Sequence, residues 1–571
     1  MRRKMIATAA GILLLTVLLI PLANMLSTAQ EALDADHMVQ PMLDLLEQSP
    51  QVRANVAVGQ IMDIEDAWGI EDTRQEAQTP LVGSMRNGEH ELGYDEASRT
   101  FFCTLGLSGG DWPELALYAQ GAEGMEDLSV AWIDDYTYDD RSDAIREGYR
   151  YELMAYTDTQ YEYIELVFTG LPIVTLQVHG GADALGDTYT PARMGVASAE
   201  YAAINSGAWT HVRGGGYPKP IDKPSYRVEF HELGAKGDQK AARSVLGMKE
   251  DTDWLLISNA QDPTALRNHL CWDMWRRWNE GAEAPMELGS RMVELFVDNA
   301  YMGLYQVMER VNPEEELVRI GGNPQTDTLA RIIVSVNIGN YPVLDRDQVA
   351  DLWIEHRYEA KDRHERTFER IEDYARLMMK DEYTLSDEEF IELAQKRIDT
   401  RELMSYFLFS QVCGLTQDNI HNNLYIWALG SDAEYQYRLS PWDMDMSLFT
   451  PTNEEDMGWG GRLEVSFALP VRMLDLNVNQ CREIMWEIWT QKRETLLLNE
   501  AICTWIMDTA EEIEASGAYH RETEKWYGAE SELPAADMMY YTQYRIENVE
   551  YAMEERWLSQ ETGKAETTED L

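Results

Sequence analysis

Three short segments of this chain carry side chains of the kind that handle phosphate groups. The first, Asp418-Asn419-Ile420-His421-Asn422-Asn423, sets an aspartate and an asparagine at an Asp-x-x-x-x-Asn spacing after an apolar helical pattern. Phosphoryl transfer needs a carboxylate to orient or accept the proton of the attacking hydroxyl, and an oxygen ligand nearby for a metal ion. Asp418 and Asn423 are candidates for these two tasks. Taken singly, Asp418 also fits a helix-end turn and Asn423 a β-bulge.

The second segment, Trp442-Asp443-Met444-Asp445, follows a strand pattern further along the chain. A carboxylate at a strand end can hold magnesium against the phosphates of a nucleotide. Asp443 is the expected metal ligand, and Asp445 is an alternative. The simpler structural interpretation is that Asp443 caps a turn. The order and spacing of Asp443 relative to Asp418 and Asn423 instead favour a shared site.

The third segment is basic. Arg213 precedes three glycines, and Lys223 lies just before a strand pattern that begins at Ser225. A glycine turn lets backbone amides approach phosphate oxygens, and a lysine on the next strand can pair with them. The segment predicts a nucleotide-phosphate contact, with a plain hairpin turn as the alternative.

Two further charged residues are candidates for the same site. Arg267 falls in the first turn of a helix predicted to open at Asp262-Pro263, where a positive charge opposes the helix dipole. This cost predicts a partner, either an acidic neighbour or a phosphate. Glu309 lies in a strand pattern and is predicted to pair with Lys223 or to contact the nucleotide, unless it is one more surface acid.

Together these segments resemble the spore coat protein H (CotH) kinase family. The resemblance covers roughly residues 170 to 515 and implies an α+β, atypical protein-kinase-like fold with a β-rich N-lobe and a helical C-lobe. Four blocks occur in family order: Arg213-Gly214 with Lys223-Pro224-Ser225-Tyr226-Arg227; Asp253-Trp254-Leu255-Leu256 with Asp262-Pro263-Thr264 and Arg267-Asn268; Tyr301-Met302-Gly303-Leu304-Tyr305 with Glu309; and Asp418 to Tyr425 with Trp442-Asp443-Met444-Asp445.

The resemblance implies an exported enzyme that transfers the γ-phosphoryl group of ATP to Ser or Thr of a protein, with Mg²⁺ or Mn²⁺. Carried onto this chain, Asp418 matches the catalytic aspartate, and Asp443 and Asn423 match the metal-side groups. Lys223 matches the ATP-phosphate lysine, with Arg213 and Arg267 as further phosphate contacts.

The patterns around these segments predict the elements that position them. Leu266, Leu270, Met274 and Trp278 form a buried helical stripe, and residues 292–311 form a hairpin. Ser386 is expected to start a helix. The predicted organisation is a signal peptide or membrane anchor over 1–29, an acidic, irregular tether over 30–99, a β-rich unit over 100–170, the kinase-like domain over 171–515, a C-terminal helical extension over 516–562 and a disordered tail over 563–571.

The net charge of the chain limits the classes of molecule that it is expected to bind. It has 571 residues, with 101 Asp and Glu against 48 Lys and Arg and a formal net charge of −53. Such a surface repels a polyanion, so nucleic acid is not an expected partner. A hydrophobic content of 44% with 17 Trp indicates a folded rather than a disordered chain. An acidic exterior favours a basic protein as the phosphate acceptor.

The N-terminus predicts export. Arg2-Arg3-Lys4 precede an apolar run from Met5 to Ala23, which is typical of a cleaved signal or of an uncleaved anchor. Either outcome places the rest of the chain outside the cytoplasm. The five cysteines are widely spaced, which argues against structural zinc; burial is the expected state, although one disulfide can form in an oxidising exterior.

Two other functions remain as alternatives to a protein kinase. A kinase-like fold can transfer a different group, such as a nucleotide monophosphate or an amino acid, through the same metal and phosphate site. A non-catalytic protein of the cell surface or spore coat would use the aromatic-rich unit 100–170 to bind an envelope partner. A glycoside hydrolase with paired carboxylates is disfavoured, because its chemistry gives no role to the ordered set of Lys, Arg and Asp-x-x-x-x-Asn residues.

Overall fold

The chain forms an α+β fold in which a closed barrel lies between an N-terminal β unit and a helical region. The computed structural model describes residues 39–50, 55–108, 110–125, 127–214, 221–282, 286–312, 315–316, 319–323, 327–333, 353–358, 370, 373–374, 376–378, 385–415, 423–430, 434–448, 467–528 and 532–558.

The N-terminal unit consists of two sheets that share one core. The first sheet has the order β1-β8-β4-β5 and the second β2-β9-β10-β11-β7-β6, with β3 beside β11. Their elements are β1 Val56–Ala57, β2 Gly59–Ile61, α1 Ile64–Thr73, β3 Gln75–Glu76, β4 Val82–Asn87, β5 His90–Glu91, β6 Gly93–Asp95, β7 Thr100–Thr104, β8 Leu117–Gly121, β9 Ser129–Trp132, α2 Arg141–Arg146, β10 Arg150–Tyr156 and β11 Gln160–Thr169.

This unit begins well before residue 100. Strand β4 pairs with β8 and β5, β6 pairs with β7, and Leu81, Val82 and Met85 are buried in the shared core. The prediction of an irregular tether over 30–99 is therefore wrong for the described residues 55–99. The strands there are only two to six residues long, and β1, β2, β3 and β4 each pair with a strand much further along the chain, so local periodicity gives little signal.

Seven strands then close into a barrel in the order β12-β13-β14-β15-β16-β18-β17, with β12 parallel to β17 at the closure. Alternate residues point inward, as strand geometry requires. Tyr305 and Val307 fill the interior, whereas Leu304 and Met308 face outward into the helical core. The strands are β12 Ile173–Val178, β13 Thr190–Ala197, β14 Ile204–Arg213, β15 Ser225–His231, β16 Asp253–Ile257, β17 Ser290–Val297 and β18 Ala300–Glu309.

The helical region packs on the outward face of β16, β17 and β18 and surrounds a four-stranded sheet of order β20-β19-β21-β22. It includes the predicted stripe of Leu270, Met274 and Trp278, all buried. Its elements are α3 Arg267–Trp278, β19 Thr328–Ile333, β20 Trp353–Tyr358, α4 Asp387–Arg397, α5 Thr400–Cys413, β21 Leu424–Gly430, β22 Tyr435–Pro441, α6 Ala468–Leu476, α7 Cys481–Arg493, α8 Asn499–Ala515, α9 Ala518–Tyr527 and α10 Ala535–Met553.

Local signals place some helix ends correctly. Ser386 caps α4 through a reciprocal capping box with Glu389, as its sequence predicts. The helix predicted to open at Asp262 instead begins at Arg267, because Ala265 has a positive φ of 57° that interrupts the helical path. The Asp262 carboxylate still accepts the Arg267 backbone N–H, at 2.8 Å, from five residues away.

Two further findings concern the chain as a whole. Among the described residues, no helix is both long enough and apolar enough to span a bilayer; the predicted signal or anchor, residues 1–29, lies outside them. All five cysteines are free thiols, four of them buried and Cys503 half-buried.

Candidate functional site

The loop after β22 is held from two sides. The Met444 N–H donates to the Asn268 side-chain oxygen in α3, at 3.0 Å, and the Leu448 N–H donates to the Cys413 carbonyl at the end of α5, at 2.7 Å. The Asp443 backbone has a positive φ of 55°, a left-handed conformation that is uncommon for non-glycine residues and that Asp adopts more readily than most. These contacts fix the path of the loop that carries the Asp443 carboxylate.

Asn423 and Asp443 lie at the same end of the β21–β22 hairpin. Asn423 immediately precedes β21 and Trp442 immediately follows β22, and the Trp442 N–H donates to the Asn423 carbonyl at 3.0 Å. The Asn423 side-chain amide donates to the Asp443 carboxylate at 3.4 Å. The structure therefore brings these two predicted site residues together. Asp418 falls in residues 416–422, outside the described part of the chain.

Asp262 brings a third carboxylate to this region. It is buried in the turn before α3, where it accepts the Thr264 N–H at 2.9 Å and forms an ion pair with the Arg267 guanidinium. Of the two partners that the sequence allows for Arg267, the structure shows the acidic neighbour. A phosphate contact by Arg267 remains a prediction.

The carboxylates of Asp443 and Asp262 both act on Asp445. Burial raises the pKa of Asp445 to about 7, and the charges of Asp443 and then Asp262 add to that shift. A cation would relieve this repulsion, so the donor chemistry fits a hard divalent ion. Within the described ranges, no three His, Cys, Asp or Glu side chains are grouped closely enough to hold a metal ion by themselves. The Asn423 amide, water and substrate phosphates are the ligands that Mg²⁺ ordinarily adds to one or two carboxylates.

Lys223 lies in a second, fully buried part of the same region. Its ammonium forms an ion pair with Glu522 of α9 at 2.5 Å, donates to the Leu304 carbonyl at 2.7 Å and lies 4.7 Å from the centre of the Tyr305 ring. Burial lowers the pKa of Lys223, and the Glu522 carboxylate opposes that shift. The other Glu522 oxygen accepts the Leu304 N–H at 2.7 Å, so the pair is tied to β18.

Tyr519 connects this ion pair to the acidic cluster. It lies in α9 with Glu522, and its hydroxyl donates to the Pro263 carbonyl beside Asp262, at 3.1 Å. Burial raises the pKa of Tyr519, and the negative charges of Asp262 and Glu522 both contribute. The barrel, α3, α9 and the loop after β22 thus meet in one place.

Glu309 is not the partner of Lys223, contrary to one alternative from the sequence. Its two carboxylate oxygens accept the backbone N–H groups of Lys249 and Gly289, each at 2.8 Å. Lys223 contacts β18 at Leu304, and Glu309 ends that strand. At the rise of an extended strand the two positions are roughly 16 Å apart. The alternative role of Glu309 as a nucleotide contact is untested.

Arg213 ends β14, and its guanidinium carbon lies 5.9 Å from the centre of the Trp442 ring, next to Asp443. The path from Arg213 toward Lys223 runs through residues 215–220, which lie outside the described residues. The structure therefore places Arg213 beside the loop that carries Asp443.

Sequence reasoning assigned no role to three residues that organise this region: Glu522, Gln306 and Asn268. The Asn268 amide donates to Gln306 at 2.8 Å, while its oxygen accepts the Met444 N–H, so it links β18 to the loop after β22. Asn268 directly follows Arg267 in the second family block, and this position is a sequence signal for a role in the site. Glu522 is 299 residues from Lys223 and carries no comparable local signal.

The structure is an α+β protein in which a buried Lys–Glu pair joins the barrel to α9, and a group of carboxylates lies near the loop after β22. A family model described as CotH kinase protein matches residues 210–555, which is more than half of the chain. The chain belongs to this family and is a kinase-like protein. A search of curated proteins found no match. Because the family match extends to residue 555, helices α8, α9 and α10 fall within it.

Proposed function

We propose that this protein is an extracytoplasmic, ATP-dependent protein kinase that transfers the γ-phosphoryl group to Ser or Thr of a protein partner. In this proposal Asp418 is the catalytic base, and Asp443 holds a divalent metal ion. Its β-rich barrel serves as the N-lobe and its helical region as the C-lobe of an atypical kinase fold. Membership of the CotH kinase family supports a kinase in general, and the specific reaction is our inference.

The observation that carries the proposal is an acidic cluster joined, through Tyr519 of α9, to a lysine held in one position. Asp443 and Asp445 follow strand β22, Asn423 contacts Asp443, and Glu522 of α9 holds Lys223 just before β15. Phosphoryl transfer depends on positioning and on neutralising negative charge, with little covalent chemistry for the protein to perform. Carboxylates for a metal and a preorganised cation are the two parts that this requires.

The acidic side of the site fits Mg²⁺ or Mn²⁺. Asp443, Asp445 and the Asn423 side-chain oxygen would hold the ion, which when bound supplies positive charge against the ATP phosphates. The left-handed backbone of Asp443 and the Asn268 contact to Met444 keep these oxygens in place before the ion arrives.

The basic side of the site comes from Lys223, with Arg213 and Arg267 as further phosphate contacts. Glu522 and the Leu304 carbonyl hold the Lys223 ammonium in one position, so little side-chain entropy is lost when an anion binds near it. Arg267 is restrained in the same way by Asp262.

The site of action and the acceptor are also part of the proposal. The basic-apolar N-terminus favours export through a signal peptide or a membrane anchor. The net charge of −53 favours a basic acceptor segment, because opposite charges steer the encounter at low salt.

The direct test is incubation of the purified full chain with γ-labelled ATP, Mg²⁺ or Mn²⁺, and paired Ser-containing peptides rich in Lys or in Glu. We expect label on the Lys-rich peptide, with a preference that weakens as NaCl rises. Asp418→Asn and Asp443→Asn should each reduce labelling at least about 100-fold. The matched control is Asp508→Asn, an exposed acid of α8 away from the site.

A parallel reaction with α-labelled ATP separates the alternatives. Label from the α-phosphate on protein would show nucleotide transfer in place of phosphoryl transfer. Binding of Mg·ATP without any transfer would overturn the kinase proposal, and absence of nucleotide binding would favour a surface-binding protein. Retained activity in both Asp418→Asn and Asp443→Asn would refute their assigned roles.

A further inference from the structure

The outward face of helix α10 carries tyrosines and acids in a regular order. Asp537, Tyr540, Tyr544, Glu547 and Tyr551 follow one another at alternating intervals of three and four residues. Side chains at this spacing lie along one face of an α-helix. We name these five side chains the tyrosine–acid stripe.

The packing of α10 does not depend on this stripe. The helix packs on α5 and α8 through its opposite face, whose buried residues are Met538, Thr542, Arg545, Ile546, Val549 and Met553. Tyr540 is 55% and Tyr551 63% exposed. Asp537 and Glu547 are exposed, and Tyr544 is half-buried. Single exposed apolar residues are common on protein surfaces, but three tyrosines along one helix face form a continuous surface for contact with a partner.

Tyr540 lies against two other aromatic rings. Its ring centre is 6.2 Å from that of Tyr544, with the two planes 15° apart, and 5.4 Å from that of Tyr541. Ring contacts restrict rotation, and a tyrosine offers a large contact area with only two side-chain torsions to fix. A partner that binds here would therefore lose little affinity to the ordering of these side chains.

The acids of the stripe are not neutralised by other groups in the described part of the chain. Asp537 and Glu547 form no ion pair there. The one base of α10, Arg545, is 3% exposed, and its guanidinium donates to the Gln411 carbonyl at 2.6 Å on the buried side of the helix. The neighbouring helix α8 has five acids and no base.

Two other arginines near α10 are paired with acids outside the stripe. Arg493 pairs with Glu550 at 3.1 Å, and Arg556 pairs with Asp475 at 3.1 Å. Each pair has no net charge, so the stripe itself keeps two negative charges and no positive one. A cationic partner complements this surface, whereas an anionic partner is repelled.

Arginine matches both components of the stripe. Its planar guanidinium stacks on aromatic faces and pairs with carboxylates through two N–H groups, whereas the lysine ammonium is a strongly hydrated point charge. Tyr540 and Tyr551 are eleven residues apart, or roughly 16 Å along the helix axis. An extended segment covers that length with about five residues, and its alternate side chains recur roughly every 6.6 Å, close to one helical turn.

We propose that the tyrosine–acid stripe is a docking surface for an extended, arginine-rich segment of a partner protein. Alternate arginines of that segment stack on the tyrosine rings and pair with Asp537 and Glu547. The net charge of −53 disfavours a second copy of this chain as the occupant. Docking involves no nucleotide and no phosphoryl transfer, so the inference does not depend on the kinase proposal.

The chemistry of the partner is tested with three fluorescein-labelled octapeptides, which alternate Gln with Arg, Lys or citrulline. Fluorescence anisotropy with the full chain, without nucleotide, at pH 7 and 150 mM NaCl gives the dissociation constants. We expect the Arg octapeptide to bind at least about 3-fold more tightly than the Lys octapeptide and at least about 10-fold more tightly than the uncharged citrulline octapeptide. Equal affinities for the Arg and Lys octapeptides, or no binding of the Arg octapeptide at about 1 mM protein, would overturn the proposal.

The role of the tyrosines is tested with two double variants. Tyr540→Ala/Tyr551→Ala should weaken binding of the Arg octapeptide at least about 5-fold and reduce its advantage over the Lys octapeptide. The matched control is Tyr138→Ala/Tyr149→Ala, which removes two exposed tyrosines of the N-terminal unit and should change neither result. Unchanged binding in Tyr540→Ala/Tyr551→Ala would contradict the assigned location. In sedimentation experiments, a dimer of the unaltered protein that this variant dissociates would identify a second copy as the occupant and would also overturn the proposal.

The role of the acids is separated from that of the overall charge. Asp537→Asn/Glu547→Gln should weaken binding of the Arg octapeptide at least about 5-fold. Glu65→Gln/Asp72→Asn, at exposed positions of α1, changes the net charge by the same amount and should leave binding unchanged. All these variants replace surface side chains, so their urea midpoints should match that of the unaltered protein. Equal weakening by the two acid variants would show that the peptide senses only the net charge, and the docking surface would be refuted.

Discussion

The Lys223–Glu522 ion pair is a buried residue-scale link between the barrel and the C-terminal helices. The Lys223 side chain is 0% exposed and that of Glu522 is 4% exposed. Removing two charges from water is costly, and the hydrogen bonds to Leu304 offset part of that cost. Loss of one partner leaves the other charge buried and uncompensated.

Glu522→Gln tests this pair. We expect the substitution to lower the free energy of unfolding by about 3 to 5 kcal/mol, measured by urea denaturation at pH 7. The control is Glu487→Gln, which removes the partner of Arg401 in an exposed pair of 3.1 Å and should cost less than about 1 kcal/mol. Equal losses in the two variants would contradict the importance of the buried pair.

Sequence reasoning at this scale allowed an acidic partner for Lys223, but it named Glu309 as the candidate. Both Glu309 and Glu522 are glutamates in regular secondary structure, and nothing in their local sequence indicates which of them pairs with Lys223. Long-range packing decides which backbone N–H groups donate hydrogen bonds to Glu309 at the end of β18. It also decides the position of α9 against that strand.

At the scale of elements, the β17–β18 hairpin shapes the surface on which α9 packs. Gly303 has a φ of +90°, and the register shifts between Leu295 and Phe296, opposite it. A Cβ on Gly303 would overlap the Glu522 carboxylate. The glycine therefore allows both the bulge and the close approach of α9.

Gly303→Ala is expected to destabilise the fold by more than about 2 kcal/mol, since the left-handed conformation alone costs about 1 to 2 kcal/mol and Glu522 must also move. Gly88→Ala is the control: Gly88 has a φ of +60°, and nothing lies within 4 Å of an added Cβ. It should show only the conformational cost. A similar change in urea midpoint for both variants would refute the proposed contact.

The sequence predicted this hairpin well and the helix before it less well. The apolar alternation around residues 292–311 is local, and strands β17 and β18 follow it. The start of α3 was placed too early, because the turn from Asp262 to Ala265 is set by side-chain contacts of Asp262 that propensity does not contain.

At the scale of the whole molecule, the N-terminal unit is joined to the barrel by buried contacts. Glu91 of β5 accepts two hydrogen bonds from Arg193 of β13, at 2.5 and 2.9 Å, and the Arg193 side chain is 1% exposed. Phe102 of β7 stacks on Tyr301 of β18, with ring centres 5.4 Å apart. Contacts of this kind predict that the two units unfold together.

Glu91→Gln tests the coupling. The variant should lose about 3 kcal/mol of stability, because it leaves a buried guanidinium without its carboxylate, whereas the exposed Glu89→Gln should change little. In the unaltered protein, tryptophan fluorescence and far-ultraviolet circular dichroism should report one urea transition. Two separate transitions in the unaltered protein would contradict cooperative unfolding of the units.

The sequence by itself determined the α+β class, the family blocks, and the candidates Asn423 and Asp445 beside Asp443, because strand alternation, caps and motif spacing are local properties. Tertiary structure alone decided that Glu522 pairs with Lys223, that Asp262 meets Arg267, and that residues 55–99 belong to folded sheets. The physical reason is that these contacts are selected by burial and packing once the barrel has closed, and most of them join distant parts of the chain.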